Sequence, residues 1–171
     1  MKYSRHAPPK RHRKMIVSIC VASAVVAAGA FGFLLTRSNP PFPSSIAKQV
    51  SFVTYVPAHD WSADTAHATY NAGVLLFTAQ RTNVTLSLSE QATPSVFGDV
   101  PQYYSALLGK MNQYDSFGTA NGTVYLTKPT ELNGLQTAVL NNDGTLVFVR
   151  PNHAMSADQW RQFFNTLRLI K

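Results

Sequence analysis

The stretch LQTAVLNNDGTLVFV, residues 135–149, contains the strongest sheet signal in the chain. Two apolar runs flank an Asn-Asp-Gly segment, and Asp-Gly between apolar runs is typical of a tight β-hairpin turn because glycine accepts the positive φ that the turn requires. The stretch therefore predicts strands at 135–141 and 145–149, joined by a turn at 142–144.

Five further runs have the composition or alternation of strands, at 46–56, 67–70, 74–79, 84–89 and 123–127. The run at 84–89 alternates most regularly. Because strand side chains alternate between two faces, Val84, Leu86 and Leu88 should face a core while the residues between them face water. Together with the hairpin, these runs predict about seven strands.

Two segments have helical periodicity instead. Apolar residues recur at helical spacing over 99–111, with Asp99 placed to cap the helix and Pro101 tolerated in its first turn. Near the C-terminus, Ser156 and Gln159 form a capping box ahead of an apolar stripe that runs from Trp160 to Ile170. The predicted fold class is α+β, a mainly antiparallel sheet packed by two helices.

The net charge of the chain lies almost entirely at its N-terminus. The chain has 15 Lys+Arg and 8 Asp+Glu; seven of the cations and none of the acids lie in residues 1–37. Residues 38–171 therefore carry eight cations and eight acids and no net charge. A nucleic-acid-binding domain places an excess of positive charge on its folded surface, so no nucleic-acid partner is predicted.

Residues 15–35 form an apolar segment without a charged side chain. At about 1.5 Å per residue a helix of this length spans roughly 31 Å, the thickness of a bilayer core. Six cations precede it and one follows closely, which predicts an N-terminus in the cytoplasm and a C-terminal domain outside. Cleavage as a secretion signal after Ala30 is the alternative, but the apolar run is longer than a signal peptide needs.

These features divide the chain into a cytoplasmic basic tail (1–14), a transmembrane signal-anchor helix (15–35), a Pro/Ser-rich linker (36–45) and an extracytoplasmic domain (46–171). The one cysteine, Cys20, lies in the apolar segment. The outward domain therefore has no disulfide and no thiolate for catalysis or zinc binding. About 125 residues suffice for one domain with an ordinary core.

The segment ELNGLQTAVLNNDGTLVFVRPNHAMSADQWRQFFNTLRLI, residues 131–170, resembles the end of a class of uncharacterised bacterial extracytoplasmic domains. The opening IAKQVSFVTYVP and the SEQ at 89–91 are similar to small single-pass bacterial proteins that carry such a domain behind one N-terminal helix. Some relatives lie behind the transmembrane helix of anti-sigma factors or resemble lipoprotein-carrier half-barrels. The zinc-binding segment of anti-sigma factors is absent here, since residues 1–14 contain no Cys. The resemblance implies an envelope location and no catalytic residue.

Polar side chains gather around one predicted loop, and they are the candidates for chemistry: His59, Asp60, Asp64 and His67. Their spacing matches no short metal-binding motif, so no metal and no cofactor is predicted. Glu90, at the end of the alternating strand, is the carboxylate selected as a candidate site residue, with a solvated strand end as the alternative.

Two aromatic residues are candidates for ligand contact. Trp61 lies in the loop beside His59 and Asp60, and Tyr125 falls on the water-facing side of its strand. Such rings stack on sugars or line apolar grooves, although they also form ordinary core edges. The preferred function is a non-enzymatic binding module of the bacterial cell envelope whose partner is a protein, a lipid or a wall glycan. A small hydrolase that uses the His59/Asp60 loop is the alternative, and oligomeric state is left open.

Overall fold

The computed structural model describes residues 41–131 and 134–170. The predicted basic tail and the predicted transmembrane segment 15–35 lie outside these residues. Within the described part of the chain, no helix is both long and apolar enough to span a bilayer. The anchor therefore stays a prediction from the sequence.

The described residues include four helices and nine strands. In chain order they are α1 (Ser44–Ala47), β1 (Thr54–Pro57), β2 (Ser62–Asn71), β3 (Val74–Arg81), β4 (Val84–Ala92), α2 (Val96–Asp99), α3 (Pro101–Lys110), β5 (Gln113–Thr119), β6 (Gly122–Thr127), β7 (Ala138–Asn142), β8 (Thr145–Pro151), α4 (Ala157–Thr166) and β9 (Leu167–Ile170).

Seven of the strands form one antiparallel sheet in the order β2-β3-β4-β8-β7-β6-β5. The predicted α+β class with an antiparallel sheet of about seven strands is confirmed. Two groups of hairpin-connected strands meet where β4 pairs with β8, so the predicted alternating strand and the predicted hairpin lie at the centre of the sheet. Strands β1 and β9 pair with each other in a separate two-stranded ribbon.

The predicted hairpin turn is confirmed. Asp143 and Gly144, between β7 and β8, have φ of 48° and 75°. Positive φ at both central residues characterises a type I′ turn, whose twist matches that of the flanking strands. The turn sets Asn142 opposite Thr145 and Asn141 opposite Leu146.

Helix α4 covers one face of the sheet, as predicted. Its capping box is present, with Ser156 N donating to Gln159 Oε1 (2.7 Å) and Gln159 N donating to Ser156 Oγ (3.2 Å). Trp160, Phe163 and Phe164 are fully buried in the main core. Burial of such large rings against a sheet is the main source of stability that the core supplies.

The helix is shorter than predicted. It ends at Thr166, and Leu167–Ile170 forms β9 rather than a last helical turn, so the predicted stripe to Ile170 is wrong at its end. Strand β9 pairs with β1, for which it supplies backbone hydrogen bonds. Because unpaired backbone groups are costly to bury, this pairing outweighs the helical periodicity of the last residues.

The membership of the sheet also differs from the prediction. The apolar run at 46–56 does not join it: residues 44–47 form the short α1, and β1 begins only at Thr54. The seventh place belongs to β5, which pairs with β6 at the edge of the sheet. This strand was not predicted, because only Phe117 of its residues is buried and an edge strand needs little apolar pattern.

Helix α3 lies on the opposite face, where Leu108 packs with Val139 and Leu146. The predicted helix at 99–111 is confirmed in position, but Asp99 does not cap it. Asp99 ends α2, and Val100 between the two helices is extended (φ −134°). A residue before proline is pushed out of the helical region, so Pro101 forces a break that separates α2 from α3.

A candidate binding cavity at the β7–β8 turn

A cavity of about 410 Å³ lies between the α2–α3 segment and the β7–β8 turn, and it is called the Asp143 cavity below. Val100 separates α2 from α3, and Asp143 and Gly144 form the tight turn of the hairpin; residues of both segments line the cavity. The lining residues are Thr93, Phe97, Gly98, Pro101, Tyr104, Ser105, Asn141, Asn142, Asp143 and Gly144.

One wall of the Asp143 cavity is aromatic. The rings of Phe97 and Tyr104 lie 5.5 Å apart, and Tyr104 meets Tyr125 edge to face at 6.0 Å. The Tyr104 hydroxyl is buried and has no hydrogen-bond partner among the described residues. Burial, with a smaller contribution from Tyr125, raises the pKa of Tyr104 to about 12, so the hydroxyl stays neutral at physiological pH.

The other wall is polar and is held by its own hydrogen bonds. Thr93 follows β4 and joins the hairpin through its N–H to Gly144 O (2.8 Å) and through its hydroxyl to Asn141 Oδ1. Asn142 Nδ2 donates to Asp143 Oδ2 (2.9 Å). Three side-chain atoms of the hairpin have no hydrogen-bond partner among the described residues: Asn141 Nδ2, Asn142 Oδ1 and Asp143 Oδ1. The wall therefore offers one donor group and two acceptors in fixed positions.

Tyr55, from the β1–β9 ribbon, contacts the β7–β8 turn through its side-chain hydroxyl. Its hydroxyl donates to Asp143 Oδ2 (3.0 Å) and accepts from Asn142 Nδ2 (3.2 Å). Burial is the largest cause that raises the pKa of Tyr55 to about 12, and the Asp143 carboxylate adds to it. A permanently protonated hydroxyl is thus positioned to hold the Asp143 carboxylate in one orientation.

Glu90 lies deeper, on the core face of β4, and is fully buried. Its carboxyl group accepts the backbone N–H of Tyr55 at 3.1 Å (Oε2) and 3.3 Å (Oε1). Burial raises the pKa of Glu90 to about 8, although the hydrogen bond from Tyr55 opposes the shift. The structure therefore places this predicted site residue inside the protein, and the solvated strand end considered as its alternative is wrong. The strict alternation from Val84 onward could have predicted this burial, since it assigns Glu90 to the core face of the strand.

The two aromatic candidates are less exposed than predicted. Trp61 is 6% exposed, and its ring meets Phe163 edge to face at 5.0 Å. Tyr125 is half-buried because Tyr104 of α3 covers it. The prediction treated the face of β6 opposite Val124 as open to water, whereas a helix packs on it.

The polar residues predicted around one loop do not converge, and Asp64 and His67 lie in β2 rather than in a loop. His59 Nε2 lies 3.1 Å from Arg168 Nη2, and Asp60 pairs with Arg81 at 3.3 Å. Asp64 pairs with His67 at 2.8 Å, a bond that lowers the pKa of Asp64. Among the described residues, neither His59 nor Asp60 shares a hydrogen bond or an ion pair with Glu90, which bonds to Tyr55. Among residues 41–131 and 134–170, no group of three or more His, Cys, Asp or Glu side chains could hold a metal ion.

Sequence reasoning did not select Tyr55, Tyr104, Asn141, Asn142 or Asp143 as site residues. One signal was present: a type I′ turn needs only Asp143 and Gly144, yet two further asparagines end β7, where asparagine is a poor strand former. Tyr55 and Tyr104 had no local signal, because their positions at the cavity depend on the ribbon and on α3.

Comparisons with protein-family models, curated proteins and solved structures found no match for this chain. The resemblance of residues 131–170 to bacterial extracytoplasmic domains therefore stays a prediction.

Proposed function

We propose that residues 46–171 form a non-enzymatic binding module, held outside the cytoplasmic membrane by residues 15–35, and that the Asp143 cavity binds a neutral saccharide unit of an envelope glycan. One observation carries the proposal: the lining combines an aromatic wall with amide, hydroxyl and carboxylate groups and includes no Lys or Arg. A sugar ring presents both an apolar face and hydroxyls that donate and accept.

Other ligand classes fit this lining less well. Phosphates and carboxylates would meet the Asp143 charge without a cation to offset it. A wholly apolar ligand would leave the Asn141, Asn142 and Asp143 side chains desolvated and unpaired, at about 1–3 kcal/mol for each neutral group and more for the carboxylate. A neutral polyhydroxylated ligand avoids both costs.

Binding is favoured over glycoside cleavage by the position of the carboxyl groups. Glycoside hydrolysis needs a pair of carboxyl groups on either side of the scissile bond. Asp143 is the acidic residue in the lining of the cavity. The nearby Glu90 is fully buried behind the β1–β9 ribbon, where it accepts the backbone N–H of Tyr55. The alternative hydrolase site would need His59 and Asp60 to act together. Each of these side chains contacts a different arginine instead.

The proposal is tested with the full chain in a detergent that has no sugar head group. Isothermal titration with a panel of neutral saccharides, including N-acetylglucosamine oligomers and hexose disaccharides, should find saturable binding. Asn141→Ala should weaken the binding by about tenfold, the equivalent of one hydrogen bond to a neutral group.

Asn165→Ala is the matched control, because Asn165 is exposed on α4 and lines no part of the cavity. It should bind as the unaltered chain does. No binding across the panel, or equal weakening by both substitutions, would contradict a saccharide site in the Asp143 cavity.

A further inference from the structure

A second cavity, of about 250 Å³, lies at the other end of β4 and is called the Trp61 cavity. Its lining comes from the residue before β2, the β3–β4 turn with its flanking residues, and α4 with the segment before it: Trp61, Arg81, Thr82, Asn83, Val84, Met155, Gln159 and Gln162. None of these residues lines the Asp143 cavity.

The indole N–H of Trp61 has no hydrogen-bond partner in the described part of the chain, although the atom is buried. The other tryptophan is a direct comparison, since Trp160 Nε1–H donates to Gln136 Oε1 at 3.3 Å. A buried donor without an acceptor costs about 1–3 kcal/mol. The Trp61 cavity is therefore lined by a residue whose buried N–H lacks an acceptor.

The same cavity has an unfavourable backbone in its wall. Thr82 opens the two-residue turn between β3 and β4 with a φ of 53°. A β-branched residue rarely adopts this left-handed conformation. Two other two-residue turns open with a positive φ, Ala72-Gly73 and Asp143-Gly144, and each includes a glycine, whereas Thr82-Asn83 has none. Strained residues cluster at functional sites, and here strain and an unpartnered donor occur in one cavity.

The polar groups of the lining are rich in donors. Arg81 contributes a guanidinium, and Asn83, Gln159 and Gln162 contribute amides. Gln159 Oε1 already accepts from Ser156 N, and the side-chain nitrogen Nε2 of Gln159 has no hydrogen-bond partner among the described residues. Asp60 contacts Arg81 from outside the lining, and both side chains of this pair are substantially exposed, so the pair is weak.

We propose that the Trp61 cavity binds a small organic carboxylate, with the carboxylate between the Arg81 guanidinium and the Trp61 N–H and a short alkyl group against Val84 and Met155. The cavity volume limits the ligand to a few carbons. The indole nitrogen is sealed from solvent, so the proposal includes a shift of the lining when the ligand enters, and we assign this shift to the flexible, unbranched Met155 side chain. The guanidinium supplies a charge-assisted hydrogen bond, which specifies an anionic ligand over its neutral isostere.

The test follows the two indole N–H signals of the ¹⁵N-labelled full chain by NMR, with Trp160→Phe used to assign the Trp61 signal. Titration with butyrate should move the Trp61 signal downfield in a saturable way and leave the Trp160 signal in place. Butyramide, the neutral isostere, should produce a response at least about tenfold weaker, since it loses the charge-assisted bond.

Arg81→Gln should weaken butyrate binding by about tenfold or more. Arg150→Gln is the matched control, because Arg150 is exposed on β8 and lies outside this lining. A shift that does not saturate, an equal response to butyramide, movement of both indole signals, or equal weakening by the two arginine variants would overturn the proposal.

Discussion

The backbone N–H of Tyr55 lies 3.1 Å from Oε2 of Glu90, and this contact joins the β1–β9 ribbon to the main sheet. Tyr55 pairs with Leu169 on one side of β1, so its N–H would have no partner on the other side without Glu90. Thr145 adds a second bond to this part of the chain, from its hydroxyl to Val53 O. The buried Glu90 carboxyl group thus accepts a backbone N–H, as a carbonyl group of a neighbouring strand does elsewhere in the sheet.

Glu90 should make the stability of the fold depend on pH. The pKa of Glu90 is about 8 in the folded protein, above its ordinary value of 4.5, because burial disfavours the charge. Between these values the folded state holds a proton that the unfolded state releases, so the free energy of unfolding falls as pH rises, by up to about 1.4 kcal/mol per pH unit. Below the ordinary value of 4.5, the contribution of Glu90 to the free energy of unfolding is fully present.

Glu90→Gln tests this directly, because the glutamine oxygen still accepts the Tyr55 N–H but does not titrate. Urea unfolding at a series of pH values from 5 to 9 should show a flatter stability profile for the variant. Glu131→Gln, at an exposed glutamate, should leave the slope unchanged. A variant profile parallel to that of the unaltered chain would show that Glu90 does not titrate in this range.

Tyr55→Phe separates the two roles of Tyr55. The substitution removes the hydroxyl bonds to Asp143 and Asn142 but keeps the backbone N–H to Glu90. Stability should fall by about 1–2 kcal/mol, as expected for the loss of a bond to a charged group. The pH slope should remain, because the Glu90 contact is unchanged. Urea unfolding at two pH values measures both quantities, and a lost slope would contradict the backbone role.

Trp160→Ala should destabilise the fold by about 3–5 kcal/mol, the usual cost of truncating a large core ring. Trp160 is fully buried in the main core beneath α4. Leu169→Ala is a suitable control, since Leu169 is 42% exposed. Thermal unfolding should show a much lower midpoint for the tryptophan variant alone, and an unchanged midpoint would mean that α4 does not cover the core.

Gly144→Ala should destabilise the fold by about 1–2 kcal/mol, since a side chain disfavours positive φ. Gly144 has a φ of 75°, and an added Cβ meets nothing within 4 Å, so backbone strain is the whole effect. Gly98→Ala is the matched control: the site is equally open, has no positive φ and lies in α2. Its stability should stay the same or rise slightly. Equal losses in both variants would exclude turn strain as the cause.

Membrane topology is tested with an epitope tag at each terminus of the full chain in cells. The charge distribution around residues 15–35 predicts an N-terminal tag protected in the cytoplasm and a C-terminal tag accessible outside. Recovery of the mature chain without its N-terminal tag would favour the alternative of cleavage after Ala30. An N-terminal tag accessible from outside would contradict the predicted orientation.

Local chemistry explains which elements could be predicted. The β7–β8 turn, the alternation of β4 and the capping box of α4 each depend on residues a few positions apart, so their signals are complete within a short window. Strand β5 and ribbon strand β9 depend on distant partners. The residues of β5 therefore show little apolar pattern, and those of β9 continue the helical spacing of α4.

The sequence by itself determined the fold class, the central hairpin, the core-facing row of β4 and the helix that covers the sheet, because each follows from side-chain period, turn chemistry or capping. Only the tertiary structure decided that Glu90 is buried against Tyr55, that Trp61 is enclosed with an unpartnered N–H, and that Asn141, Asn142 and Asp143 meet Tyr104 across a cavity. These relationships join residues that are far apart in the chain, and no local pattern encodes which faces of two elements will meet.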